Sequence, residues 1–311
     1  MPPPRLPETL EQTVKAEFRT ALADEPFAVA ELGTHTLNRL APPNWTLEWS
    51  LPGWLGATLG LDPATVASLT LANVYGLTTI KLHDDLLDGE VAADDQPVAP
   101  LLAAALHRKW LLTYARLLPG ESLFWDHFEP YMVQWTQATW ASRRGWSTPF
   151  ADWGDAELLR LAHRGAPLKS CAAAACLLAH QGGRLAQFET ALDRLLAGAV
   201  LLDHAVDWSD DLEGGHFNAF VAYCSSLPQS PLHRAANRRA VLAELAAGNA
   251  GRPYFRWLRH ELRTAQVMTR AAGCEPLARY LTWLLAAAQS YRQGLVVTTR
   301  AQLPSNRGAA V

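Results

Sequence analysis

Residues 64–88 constrain the fold more than any other stretch of this chain. They follow Asp62-Pro63, an N-cap residue with proline at the first helical position. Leu71, Val74, Tyr75, Thr78 and Leu82 recur at intervals of three and four, the period of a helix rather than the alternation of a strand. Gly89 supplies the stop. Comparable periods continue at 10–22, 27–40, 101–118, 123–142, 156–164, 185–212, 232–247, 254–272 and 275–299, with a break at Gly165-Ala166-Pro167 before a helix resumes through Lys169-Ser170. Residues 41–53, which contain proline and tryptophan, read as a connection, and 143–152 and 227–231 read as loops. No segment alternates as a strand does, no internal repeat occurs, and no charged or Ser/Gly linker divides the pattern. About ten helices in continuous series predict an all-α single domain over residues 8–303, with a disordered stretch at 1–7 and a flexible tail at 304–311.

Composition excludes several functions. The chain has 311 residues, of which 49% are hydrophobic, enough to bury a large core. A net charge of -3 gives no general pull toward nucleic acid or an anionic membrane. Four cysteines without C-x-x-C spacing predict neither a zinc site nor a disulfide framework, and make a reducing cytoplasm the expected location. The N-terminus, Met1-Pro2-Pro3-Pro4-Arg5, lacks a signal peptide's apolar core. The uncharged apolar run at 170–179 is far short of a membrane span. Twelve tryptophans, with 7 Tyr and 9 Phe, fit core packing. They also fit a cavity wall for an apolar or cationic ligand, since aromatic faces stabilise positive charge without reacting with it.

The helix at 64–88 ends in Asp84-Asp85-Leu86-Leu87-Asp88, a D-D-x-x-D pattern. Asp84 and Asp88 share a face at i and i+4, with Asp85 beside them. Carboxylates so close repel unless a cation sits among them, and hard oxygen donors favour magnesium. A second acidic cluster ends the helix at 185–212. There Asp203, Asp207 and Asp211 fall at i, i+4 and i+8, with Asp210 alongside. Below the first cluster lie Thr78, Val74 and Leu71; below the second lie Ala199, Leu196 and Leu192. Like charges stacked along an otherwise core-facing stripe cost stability unless compensated. The shared layout predicts one deep pocket with an apolar floor and an acidic, metal-binding mouth, against the alternative of two solvated helix ends.

These motifs resemble those of the class I isoprenoid synthases, the superfamily of terpene cyclases and prenyltransferases. Asp84-Asp85-x-x-Asp88 looks like their first aspartate-rich motif. The Asp203, Asp207, Asp211 triad has the spacing of the second metal motif in terpene cyclases, with aspartate at every position, and is similar to the D-x-x-x-D repeat of squalene- and phytoene-synthase-like enzymes. The resemblance spans roughly residues 60–300 by helix order and motif placement. It implies a helical bundle around a deep central cavity that holds three magnesium ions and the diphosphate of an allylic substrate. The ions would be held by Asp84, Asp85, Asp88, Asp203, Asp207 and Asp211. The Gly-Gly-Lys-x-Arg segment that binds a homoallylic diphosphate in chain-elongating prenyltransferases has no counterpart before Asp84. Gly89-Glu90-Val91-Ala92-Ala93 stands where paired arginines usually follow. Both departures favour cyclisation of one substrate over condensation of two.

A diphosphate leaving group calls for cationic donors besides metal. The resemblance carries over Arg164 and Lys169 at the helix break, with Arg160 one turn earlier in reserve, and sets Tyr291-Arg292 or Arg279-Tyr280 in place of a C-terminal Arg-Tyr pair, with Arg292 preferred. Lys81, one turn before the first motif, reads as an ion-pair partner of its aspartates. The expected activity is a magnesium-dependent terpene synthase acting on farnesyl or geranylgeranyl diphosphate. A prenyltransferase of the same superfamily, head-to-head or acceptor-directed, is the alternative. His83-Asp84 is also formally an H-D pair, so an HD-type metal phosphohydrolase, using His107, His127, His163 or His180, stands as a more distant reading. A non-catalytic partner subunit would be expected to lack one acidic motif. The expected partner is a prenyl diphosphate, with neither nucleic acid nor a membrane span, and a homodimer stays open.

Overall fold

The computed structural model describes residues 3–43, 45–144, 150–225, 234–247 and 251–302. Among these the secondary structure is entirely helical, so the expected all-α class holds. The α-helices are α1 (Glu8–Ala21), α2 (Phe27–Arg39), α3 (Thr46–Leu59), α4 (Pro63–Asp88), α5 (Ala99–Leu117), α6 (Phe124–Arg144), α7 (Asp155–Ala162), α8 (Lys169–Leu178), α9 (Leu185–Val206), α10 (Trp208–Gly214), α11 (Ala219–Cys224), α12 (Arg234–Ala246), α13 (Arg252–Ala271) and α14 (Glu275–Gln302). Short 3-10 turns stand at Phe150–Asp152, His163–Leu168 and Gly182–Arg184. No helix among the described residues is long and apolar enough to cross a membrane. The expected loop at 227–231, the middle of the loop at 143–152 and the tail after 303 lie outside the described residues.

The chain forms two compact units. The first comprises Met1–Val133, Gly165–Ala191 and Val267–Tyr280, and the second Gln134–Arg164, Leu192–Gln266 and Leu281–Val311.

In the first unit α4 is the central element, packed along α5 and α3. The Asp62 carboxylate accepts from the Ala64 and Thr65 N–H groups at 2.9 and 3.0 Å, and Gly89 closes the other end in the left-handed conformation with φ 74°. Gly76 lets Trp110 of α5 lie against the α4 backbone, since a Cβ there would stand 2.6 Å from the indole. Trp49, Trp110, Tyr114, Phe18 and Phe124 fill the core around it. The small residues Cys171 to Cys176 of α8 are completely buried, which permits close approach of α3 and α4.

α3 departs from expectation, because much of the 41–53 connection is helix. Its composition carries no amphipathic stripe, since Leu47, Trp49, Leu51, Trp54 and Leu55 are all buried and the helix meets protein nearly all round. Pro52 lies inside it and cannot donate to the Glu48 carbonyl one turn earlier. The Asn73 side-chain amide of α4 donates to that carbonyl instead. Ahead of α1, Leu6 is buried and its N–H donates to Ser50 Oγ at 3.2 Å.

In the second unit α9 and α13 pack closely at Gly198, where a Cβ would stand 2.5 Å from the Leu262 side chain. Tyr254 Oη donates to the Leu201 carbonyl at 2.8 Å. Arg194 of α9 joins Asp155 of α7 at 2.9 Å to the wholly buried Glu261 of α13 at 3.0 Å. Phe150, Phe220, Tyr223 and Tyr254 form a continuous aromatic cluster.

Candidate functional site

The first acidic motif occupies the last turn of α4, and its three aspartates divide by role. Asp85 is buried, and its carboxylate is ion-paired with Lys81 on the same helix and with Arg39 Nη2, at the end of α2, at 2.5 Å. Lys81 Nζ also stands 3.6 Å from Glu90. Burial pushes the Asp85 carboxyl up, but the Lys81 ammonium and then the Arg39 guanidinium outweigh it and hold the group below the ordinary carboxylate range. Asp84 and Asp88 are half-buried, one turn apart. At 100° per residue, Val74, Thr78 and Leu71 fall beneath Asp85, and not beneath Asp84 and Asp88 as expected. The face under Asp84 and Asp88 runs through Ile80, Leu77 and Asn73, and Ile80 and Leu77 are half-buried as the two aspartates are. The reason is geometric: three carboxylates at D-D-x-x-D cover two faces of a helix, and only one faces the unit's interior.

His83 lies within the electrostatic reach of His107. Desolvation and then His107 hold His83 below the usual imidazole value, while desolvation does the same to His107. The other histidines of the phosphohydrolase reading make separate pairings, His127 with Glu189 at 3.7 Å and His163 with Asp193 at 3.9 Å. His180 lies at the end of α8 with φ 54°.

The second motif does not lie on one unbroken helix. α9 ends at Val206, and Asp207 (φ -96°, ψ 9°) is the N-cap of α10. The hydrogen-bond ladder nonetheless continues, with the Asp207 N–H donating to the Asp203 carbonyl and the Asp211 N–H to the Asp207 carbonyl, each at 2.9 Å. The aspartates therefore still stand on successive turns. Asp203, Asp207 and Asp210 are exposed, and Asp211 is half-buried. Desolvation and then the charge of Asp210 raise the Asp207 carboxyl. Desolvation and the charge of Asp207 raise Asp211, against the Asn218 amide, His216 and Arg164, which lower it. The Asn218 side chain, wholly buried, donates to Asp211 Oδ2 at 2.7 Å and to the His204 carbonyl at 2.8 Å, while its Oδ1 accepts from the Phe220 and Val221 N–H groups as the N-cap of α11. His204 Nδ1 accepts from the Ala219 N–H at 2.9 Å, and burial, with Arg164, depresses this imidazole to about 3.

Among the carried-over cations, Arg164 lies in the 3-10 turn His163–Leu168 and its charge bears on Asp211 and His204 of its own unit. Lys169 begins α8, is 3% exposed and stands 5.1 Å from the Tyr131 ring centre, a cation–π contact in the first unit. Arg292 follows Tyr291 on α14. Tyr291 Oη donates to the Ala205 carbonyl at 2.9 Å and its hydroxyl is pushed up by burial and by the Asp207 charge, so this turn of α14 packs against the second motif. The Arg292 Nε is buried without a hydrogen-bond partner.

Two contributors were not among the expected site residues. Asn218 follows Gly214-Gly215-His216-Phe217 and precedes an apolar run, a pattern that reads as an N-cap. Arg39 lies 46 residues before Asp85 and carries no local signal.

Among the described residues no group of three or more His, Cys, Asp or Glu side chains is gathered around a point where a metal could sit. The donor chemistry still fits magnesium, which takes one or two carboxylates together with water and substrate phosphate oxygens rather than a cage of protein ligands. Asp84 with Asp88 offers such a pair in the first unit, and Asp207 with Asp211 in the second. In comparisons with known proteins, no family model and no curated sequence matches this chain.

Proposed function

We propose that the protein is a magnesium-dependent class I terpene synthase that ionises a linear allylic prenyl diphosphate, farnesyl or geranylgeranyl, and cyclises the resulting carbocation. One observation carries the reading. In the second unit three aspartates stand on successive turns, two of them raised by desolvation and by neighbouring carboxylates, with the Arg164 charge acting on Asp211. Carboxylates crowded at that cost suit a site completed by a bound cation. Magnesium bound there would act as a Lewis acid on the diphosphate oxygens and neutralise the leaving group.

The chain's own residues supply the rest. Asp84 and Asp88 would hold magnesium in the first unit, and Asp203, Asp207 and Asp211 in the second. Asp85 serves the first motif by keeping Lys81 and Arg39 in place. Arg164 and Arg292 in the second unit and Lys169 in the first are the cationic side chains that would donate to a diphosphate, and such positive charge grows in value as the C–O bond ionises. Aromatic side chains stabilise the cation and present no nucleophile.

The test is diphosphate release from geranyl, farnesyl and geranylgeranyl diphosphate with magnesium, and gas chromatography of the products. Asp84→Asn and Asp207→Asn are each expected to lower release on the order of 10²- to 10³-fold, the size of effect found for removal of one transition-state charge stabiliser. Undiminished release in either variant overturns the assignment. Turnover that begins only when an acceptor is added would reassign the protein as a prenyltransferase.

A further inference from the structure

Lys169 opens α8 and is buried among side chains of the first unit. An ammonium taken out of water is costly unless the protein stabilises its charge. The two ends of this side chain are fixed separately. At the backbone end, the Ser170 hydroxyl gives its proton to the Pro167 carbonyl at 2.7 Å, so the Tyr114 hydroxyl is the donor in its 3.1 Å contact with Ser170 Oγ. Tyr114 and Ser170 are both buried, and this chain of bonds holds the first turn of α8 where Lys169 leaves it. At the far end, the Lys169 ammonium stands 5.1 Å from the Tyr131 ring centre, within the range of a cation–π contact.

The ring is itself anchored. Tyr131 is buried on α6, and its hydroxyl donates to Glu189 Oε1 of α9. His127, one turn before Tyr131, brings its Nδ1 to 3.7 Å from the same oxygen, and its ring is stacked on that of Tyr131 with centres 6.4 Å apart. Glu189 and His127 are half-buried, so the anchor lies nearer the surface than Lys169 does. A phenol that donates to a carboxylate gains electron density, and its face then attracts a cation more strongly. A ring does this without setting an anion against the ammonium, as Asp85 does against Lys81.

We propose that Tyr131, anchored by Glu189, is the positioning residue for Lys169, holding its ammonium ready for the substrate diphosphate without touching substrate itself. This rests on the terpene synthase reading, in which Lys169 is a diphosphate donor. The benefit is preorganisation. A lysine stem is flexible, and fixing it before the diphosphate arrives removes that ordering cost from the transition state. The Glu189 carboxylate stays at the hydroxyl end of the phenol, where it polarises the ring.

The experiment measures diphosphate release by the full-length protein from farnesyl and geranylgeranyl diphosphate with magnesium, with urea unfolding of every variant. It compares wild type, Tyr131→Leu, Tyr131→Phe and Glu189→Gln, each alone and combined with Lys169→Met. Tyr131→Leu removes the ring and should lower kcat about 10- to 30-fold with KM within about twofold, the value of a desolvated cation–π contact realised in the transition state. Tyr131→Phe keeps the ring and loses the anchor, so it should recover to within about three- to fivefold of wild type. Glu189→Gln keeps an acceptor for the Tyr131 hydroxyl and should lose no more than Tyr131→Phe. On the Lys169→Met background each change should cost at most about 1.5-fold, because the side chain being positioned is gone. Should Tyr131→Leu fail to fold, the Tyr131→Phe cycle decides in the same way. Losses that are equal with and without Lys169 assign Tyr131 to packing and overturn the inference, as does a folded Tyr131→Leu protein with wild-type kcat. A Lys169→Met protein as active as wild type also overturns it, and leaves the terpene synthase reading to Arg164, Arg292 and the aspartates. A wild type that releases no diphosphate from any prenyl substrate overturns both together.

Discussion

In the first unit the acidic end of α4 carries its own counter-charge: Asp85 is buried between Lys81 and Arg39 and titrates below the ordinary carboxylate range, whereas in the second unit Asp207 and Asp211 titrate above it. Both motifs place aspartates on successive turns at a helix end. The first compensates its most buried charge within the folded chain, and its remaining pair, Asp84 and Asp88, stands on a half-buried face. The second offsets its charge only in part, through the Asn218 amide, His216 and Arg164. The same residue type at similar spacing therefore serves structure at Asp85 and stores repulsion at Asp207. A divalent cation would relieve that repulsion.

The largest stability effect is expected from removing the compensated charge. Asp85→Ala strands two cations that were packed around a carboxylate with 4% side-chain exposure. Loss of one partner of a fully buried pair costs about 3–5 kcal/mol. Arg39 is 49% exposed and Lys81 27%, so both can turn partly to water, and a loss of about 2–3 kcal/mol is expected in urea unfolding. An Asp85→Ala protein as stable as wild type would remove the structural role and return Asp85 to the set of metal ligands.

Much of the first motif is legible in the sequence because its signals are local. Asp62-Pro63 and Gly89 mark the ends of α4, and the spacing of three and four marks its body. α3 is not legible, since Pro52 and three tryptophans at 45, 49 and 54 resemble a loop, and only burial on nearly every side makes that stretch helical. The interruption at Asp207 is equally silent. No glycine or proline stands there, and the ladder from Asp203 through Asp207 to Asp211 hides the break from any argument based on spacing. Arg39 escapes for a different reason: its contact with Asp85 exists only once α2 and α4 are packed.

A smaller effect is expected from the residue that holds the second motif in shape. Asn218 satisfies the first turn of α11, the His204 carbonyl and one Asp211 oxygen together. Asn218→Ala removes an N-cap and leaves buried groups without partners, which should lower stability by about 1–2 kcal/mol. It should also raise the Asp211 carboxyl further, because the amide that favours the charged form is gone. Carboxyl NMR titration with urea unfolding reads both effects, and an Asp211 that titrates as in wild type would show that Asn218 does not control it.

The smallest effect has the opposite sign and tests the comparison most directly. Asp207 is exposed, so water screens most of its interaction with Asp210 and Asp211, and relief of like charge between helical neighbours is worth about 0.2–0.5 kcal/mol. Asp207→Asn in metal-free buffer should therefore stabilise the protein by that amount, where Asp85→Ala destabilises it. Added magnesium should narrow the difference between Asp207→Asn and wild type, because an ion bound by the native carboxylates stabilises wild type by mass action and the variant less. Urea unfolding with and without magnesium reads the sign. If Asp207→Asn is instead destabilised in metal-free buffer, Asp207 has a structural partner of its own, and the two motifs are compensated alike.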